Sequence, residues 1–159
     1  MQFVKADKGS INDLIRLRLE YLLEDYGEIP KDRLDLIAGS LPDYFRKHLN
    51  DDLFAFIGSE NGTAAGCAML YVSEKPANPS FINGRTGSVL NVYTRPQFRR
   101  RGIARELMKM LLAEAERLGL DYVELKSTDV GQPLYRSVGF EDAVSKYHNM
   151  KYVIDKRNL

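Results

Sequence analysis

Asn91-Val92-Tyr93-Thr94-Arg95-Pro96-Gln97-Phe98-Arg99-Arg100-Arg101-Gly102-Ile103-Ala104-Arg105 is the stretch on which the reading of this chain turns. Its first residues close a strand over Gly87 to Thr94, which Pro96 stops. An arginine-rich turn follows, and Gly102 opens the clearest helix of the sequence. Ile103, Ala104, Leu107, Met108, Leu111, Leu112, Ala115 and Leu118 form one apolar stripe, with Arg105, Glu106, Lys109, Glu114 and Arg117 on the wet side. Gly119 ends the helix. A helix N-terminus presents unpaired backbone N–H groups and a partial positive charge, which suits phosphate-like anions. Gly102 brings no side chain between such an anion and the backbone, Ala104 stays small, and the arginines add cations that pair with phosphate oxygens.

Working outward, Tyr122-Val123-Glu124-Leu125 is the next strand, and a short helix spans Gln132 to Val138. Gly139-Phe140 follows, then a final strand near Asn149 to Ile154. Upstream, Leu53 to Ile57 and Ala65 to Val72 form a hairpin around Asn61-Gly62, a favoured two-residue turn. Glu74 to Gly84 is a loop. The N-terminal part is helical. Ser10-Ile11-Asn12-Asp13 reads as a cap, and Ile11, Leu14, Ile15, Leu19, Leu22 and Leu23 recur at helical spacing until Gly27 and Pro30. A second helical region runs from Lys31 to about Leu49, and Pro42 is expected to split it. Helices, an antiparallel hairpin and a strand–helix–strand unit imply a mixed α/β fold: a mostly antiparallel sheet with one parallel crossover and helices on both faces.

The bulk numbers narrow the function. A chain of 159 residues without repeat, linker or low-complexity tract fits a single domain over 1–159. A net charge of +1 gives no warrant for a nucleic-acid or membrane surface. No apolar run approaches the ~20 residues of a membrane span, and Met1-Gln2-Phe3-Val4-Lys5 has no signal-peptide character. One cysteine, Cys67, allows no internal disulfide and suits a cytoplasmic location. His48 and His148 stand without a ligand partner at metal spacing, so no metal is expected.

The arginine turn has three competing readings: a solvated basic surface, a dinucleotide site, or the site of a family it resembles. Asp121 or Glu124 lies at the distance a dinucleotide site wants, but the three-glycine fingerprint is absent, and a Walker loop lacks its Gly-Lys-Ser/Thr ending. The third reading rests on likeness. Arg99-Arg100-Arg101-Gly102-Ile103-Ala104 matches the R-x-x-G-x-G/A signature of the GNAT superfamily of N-acetyltransferases, and Pro96-Gln97-Phe98 resembles its lead-in. Leu134-Tyr135-Arg136-Ser137-Val138-Gly139-Phe140 resembles its L-Y-x-x-x-G-F segment.

That resemblance implies acetyl-CoA as co-substrate and a primary amine as acceptor, joined by direct attack in a ternary complex. It implies that the strand backbone around Val92 and Thr94 pairs with the pantetheine arm. The amides of Arg100, Arg101, Gly102, Ile103, Ala104 and Arg105 would cradle the pyrophosphate beside Arg99, and Tyr135 would protonate the leaving thiolate. Two positions depart from the family pattern: Thr128 stands where many members carry asparagine, and Ser88 where some carry a glutamate base. Glu24, Asp25 and His148 are the remaining candidate bases. The expectation is that no side chain acts and that water, or selection of the neutral amine, supplies deprotonation. Cys67 reads as a buried small hydrophobe, His148 as a plain strand residue, and Glu20, Glu24 and Asp25 as acids facing water. The rival functions are a non-catalytic acyl-CoA sensor and a nucleic-acid module. Oligomeric state is not legible, and a homodimer is compatible with the sequence.

Overall fold

The computed structural model describes residues 1–155. In chain order its elements are β1 (Gln2–Lys5), α1 (Ile11–Tyr26), α2 (Lys31–His48), β2 (Leu53–Glu60), β3 (Thr63–Glu74), β4 (Arg85–Thr94), α3 (Ile103–Arg117), β5 (Val123–Glu124) and α4 (Gln132–Ser137). The five strands form one sheet in sequence order. The β1–β2, β2–β3 and β3–β4 pairs are antiparallel, and β4–β5 is parallel. This is the mixed, mostly antiparallel α/β architecture that the sequence implies.

Side chains alternate across a strand, and the cores follow that alternation. Leu53, Ala55 and Ile57 of β2 face Leu14, Leu17, Leu41 and Phe45 of α1 and α2. Phe54 and Phe56 face Ile103, Leu107, Met108 and Leu111 of α3. Because both faces are covered, β2 reads as a continuous apolar run. The hairpin turn forms as expected, with Asn61 and Gly62 at φ 50° and 76°, the paired positive angles of a primed two-residue turn.

Three expectations are corrected. Pro42 does not split the second helical region, since α2 runs unbroken through it. Leu41 and Phe45, on either side of the proline, are both buried in the α1–α2 core, and that packing holds the turn in line. Ser10 is not the side-chain cap of α1. Asp7 caps a 3₁₀ turn over Lys8–Ser10 that feeds the helix. Its carboxylate accepts from the Gly9 amide at 2.9 Å, while Ser10 Oγ accepts from the Asp7 amide at 3.2 Å. Nor do Asn149 to Ile154 form a strand. Val123–Glu124 pairs only with Gly87 and Ser88 of β4 and leaves little ladder for a further strand to extend. β1 is an element that the sequence reading did not identify; its pattern is mostly exposed, so it carries little periodic signal.

β1 is fastened to α3 by charge. Lys5 Nζ donates to Glu114 Oε1 at 2.6 Å, and Arg117 donates to both Glu114 oxygens at 2.7 and 3.0 Å. Glu114 is buried, and its hydrogen bonds to Arg117 and then Lys5 hold its carboxyl at about 2, against burial, which alone would raise it. A carboxyl lowered on folding adds stability above its unfolded pKa, and that stability is lost as pH falls through the folded value. The contribution is on the order of 3 kcal/mol at neutral pH. Thermal unfolding of Glu114→Gln and wild type should therefore differ most near pH 7 and converge as pH falls from about 4.5 to about 2. A gap independent of pH would remove Glu114 from the account.

Candidate functional site

The β3–β4 ladder is regular from Glu74↔Arg85 to Met69↔Leu90 and resumes at Cys67↔Tyr93. Asn91 and Val92 fall in the irregularity between, as a bulge that adds local twist. Asn91 adopts φ 52°, a left-handed angle that asparagine tolerates better than most residues. Its side chain is fixed on both sides. The amide nitrogen donates to Cys67 Sγ at 3.3 Å, and the oxygen accepts from Arg18 of α1 at 2.9 Å. Gly66 allows the strands to close beyond the bulge, where a Cβ would lie 2.5 Å from the Tyr93 carbonyl oxygen.

On its other edge β4 has partners in β5 only at Gly87 and Ser88. From Val89 onward the two strands part, and a cavity of about 1110 Å³ opens in the fork. Ser88, Leu90, Asn91 and Val92 line it from β4, Glu124 from β5, Arg18, Tyr21 and Asp25 from α1, and Tyr135 from α4. Tyr135 packs edge-on to Phe140, ring centres 6.0 Å apart. Burial, and secondarily the charge of Tyr21, pushes its phenol pKa up, so it keeps its proton throughout the neutral range. A second cavity, of about 800 Å³, runs along β5 and residues 140–147, and Tyr135 and Glu124 line this one too.

Past the end of β4 the chain makes a 3₁₀ turn over Pro96–Phe98 and enters the arginine run. Arg100 and Gly102 sit at φ 60° and 77°, left-handed angles on either side of Arg101, and left-handed residues in such a turn favour a concave nest of backbone amides. The first hydrogen bond of α3 is Glu106 N–H to Gly102 C=O at 3.1 Å, so the amides from Arg100 to Arg105 make no backbone hydrogen bond among the described residues. A Cβ built on Gly102 meets nothing within 4 Å, so that approach is open.

The arginines are not equivalent. Arg99 donates to both Glu24 oxygens at 2.7 and 2.6 Å and to the Thr94 carbonyl at 2.8 Å. Arg101 pairs with Glu60, and Arg95 makes a two-pronged bridge to Glu20 at 2.8 and 2.7 Å. Arg100 and Arg105 have no side-chain partner among the described residues and hold unspent positive charge. Glu20 and Glu24, read from sequence as acids facing water, instead tie α1 to the end of β4. A helix spacing of four residues presents both on one face.

The sequence-derived residues thus fall into two places. Val92 and Tyr135 share the fork. Thr94 lies at the strand end, with Oγ1 buried and unpartnered among the described residues. Arg99 to Arg105 form the turn beyond it. Ile103 buries its side chain against the sheet, so only its backbone is available there. Thr128 lines the fork, and its carbonyl accepts from the amides of Gly131 and Gln132. His148 is exposed and lies outside the fork lining. Asn91 and Glu124 are the fork residues whose place sequence reasoning missed. Asn91 left one legible signal, a turn-favouring residue inside an apolar strand.

Cys67 is completely buried, and burial pushes its thiol up to about 12. A disulfide-exchange reagent at pH 8 should leave the native thiol unlabelled and react once urea unfolds the chain. Prompt labelling of the native protein would contradict this placement.

Among the described residues no cluster of His, Cys, Asp and Glu could hold a metal ion, and no helix is long and apolar enough to cross a membrane. The profile of the acetyltransferase (GNAT) family matches residues 11–140. A structure described as a predicted acetyltransferase with acetyl-CoA, from Clostridium acetobutylicum, is 28% identical, with 94% of this chain and 95% of that one covered and a TM-score of 0.79. A GCN5-related N-acetyltransferase from Ralstonia eutropha JMP134 is 24% identical over 94% and 97%, with a TM-score of 0.75. Glucosamine-6-phosphate N-acetyltransferase from Arabidopsis thaliana shares the fold at 18% identity over 97% and 98%, with a TM-score of 0.64. No curated protein sequence matches the chain significantly.

Proposed function

Given that this chain belongs to the GNAT family of acetyltransferases, whose profile spans residues 11–140, we propose that it moves an acetyl group from acetyl-CoA to a primary amine by direct attack in a ternary complex. The observation that carries the reading is the fork between β4 and β5, with Tyr135 on its wall and the unpaired amides of the Arg99–Arg105 turn past the end of β4.

In this reading the two places hold the two ends of one molecule. The pyrophosphate lies on the amides of Arg100 through Arg105, with Gly102 at closest approach. Arg100 and Arg105 add charge, while Arg99 and Arg101 brace the turn through Glu24 and Glu60. The pantetheine arm lies along the backbone of β4 from Val92, which lines the fork, to Thr94 at the strand end. A strand N–H at Val92 or its neighbour polarises the thioester carbonyl and steadies the oxyanion. Holding both reactants in one cavity supplies the large entropic part of the acceleration. Tyr135, whose burial keeps its proton in place, donates to the thiolate as the C–S bond breaks.

The 159 residues act here as one acetyltransferase domain in the cytoplasm, with acetyl-CoA and an amine as partners and without metal, membrane or nucleic acid. The test is thiol release by purified protein given acetyl-CoA and, in turn, an amino acid, a polyamine, an aminated drug and a lysine peptide. Release that depends on the amine supports transfer. Tight acetyl-CoA binding with no release for any class would make the protein an acyl-CoA sensor.

A further inference from the structure

The fork holds a carboxylate that the account so far leaves idle. Glu124 is the last β5 residue paired to β4, in register with Ser88, so it stands at the point where the strands separate. Val123 and Leu125 on either side pack toward the α3 core, and alternation sends Glu124 to the opposite face, where Ser88, Tyr21 and Tyr135 also line the cavity. Two carboxylates line that cavity. Asp25 lies on α1 beside the Tyr21 phenol, whose pKa is raised by burial first and then by the Asp25 charge, whereas the Glu124 side chain has no hydrogen bond or ion pair among the described residues. Glu24, the other acid of that part of α1, is consumed by Arg99.

We infer that Glu124 is the base that takes the proton from the acceptor ammonium, an inference that rests on the transfer reading above. The acceptor R–NH₃⁺ gives one proton to the Glu124 carboxylate. The freed lone pair attacks the thioester carbonyl carbon, forming the C–N bond. On collapse the C–S bond breaks, and the sulfur takes the Tyr135 proton to leave as the thiol. The nitrogen of the adduct loses its second proton, through water, to the tyrosinate, and Glu124 returns its own proton to solvent. The sum is amide, free CoA thiol and one proton.

The other charged or titratable groups facing the cavity are Arg18, Tyr21 and Asp25 of α1, Tyr44 of α2, and Lys126 and Tyr135. On the β5 flank, Arg136, Glu141, Asp142, Lys146 and Tyr147 line the second cavity. Arg136 and Asp142 are paired there at 2.9 Å. Arg18 is committed to Asn91, and the three tyrosines that line the fork are all raised by burial first, so none of them is a base at neutral pH.

The experiment compares two small probe amines, ethylamine, which is almost wholly ammonium at pH 7, and 2,2,2-trifluoroethylamine, which is largely neutral there. Thiol release under limiting amine is followed against pH for wild type, Glu124→Gln, Glu124→Asp and Asp25→Asn. In wild type the ethylamine profile should break well below that amine's own pKa, where the base ionises, while the trifluoroethylamine profile should follow that amine's own pKa. Glu124→Gln should lose about 10²–10⁴-fold in kcat/KM for ethylamine and little for trifluoroethylamine, with each remaining profile breaking at the amine's own pKa. Glu124→Asp should recover part of the loss, and calorimetric affinity for acetyl-CoA should not move. Undiminished ethylamine turnover in Glu124→Gln, or an ethylamine break removed by Asp25→Asn instead, would overturn the base while leaving the transfer reading intact. Wild type that binds acetyl-CoA yet releases no thiol with either amine would overturn the transfer reading, and the base with it.

Discussion

Gly102→Glu should abolish acetyl-CoA binding and leave the fold standing. A Cβ at this position meets no atom within 4 Å, so the side chain starts into open space. It projects from the N-terminus of α3, where the proposed function places the pyrophosphate on unpaired amides. A glutamate carboxylate there competes for those amides and repels the phosphates. The residue sits at φ 77°, so any side chain adds strain of about 1–2 kcal/mol to the native state. Gly102→Ala carries the same strain without the charge and separates the two effects. Calorimetry should show the alanine variant binding measurably and the glutamate variant not at all, with circular dichroism unchanged in both. Wild-type affinity in Gly102→Glu would move the cofactor site elsewhere.

Tyr135→Phe should lower the transfer rate by about 10²–10⁴-fold, the usual weight of a general acid, with acetyl-CoA affinity barely changed. The substitution keeps the ring that packs against Phe140 and removes only the hydroxyl. Its effect should therefore appear in kcat. Because burial raises the phenol pKa, the wild-type rate should hold across neutral pH and fall only where the phenol ionises, above the ordinary tyrosine range near 10. That fall should be missing in the variant. Full turnover in Tyr135→Phe would take the residue out of the chemistry.

The sequence carried most of the fold because its periodicities are strong where both faces are covered. The stripe from Ile103 to Ala115 and the apolar run at Leu53–Ile57 correspond to the buried faces of α3 and β2. It carried less where position comes from partners far along the chain. Glu20 and Glu24 look like water-facing acids until Arg95 and Arg99, 75 residues away, are brought beside them. Pro42 looks like a helix break until Leu41 and Phe45 are seen packed on the sheet. Glu124 is one more exposed acid in a short strand until the register sets it opposite Ser88 at the mouth of the fork. The signature turn could be singled out in sequence because the chemistry proposed for it lies in consecutive backbone amides, whereas the fork is assembled from α1, α2, β4, β5 and α4, which no local pattern can announce.

The joint between β4 and β5, only two register pairs long, makes the far edge of the sheet its loosest part. Amides of β5 and α4 should exchange with deuterium through local openings well below the global unfolding free energy. An acyl-CoA lying in the fork would bridge the two sides, so its arrival should appear first as slowed exchange on both strands. Ligand that binds only the closed form also stabilises it by mass action, about 2.7 kcal/mol at a hundredfold excess over Kd. The melting temperature of this protein should therefore rise with acetyl-CoA concentration, and in a cell its lifetime would follow the supply of its own substrate.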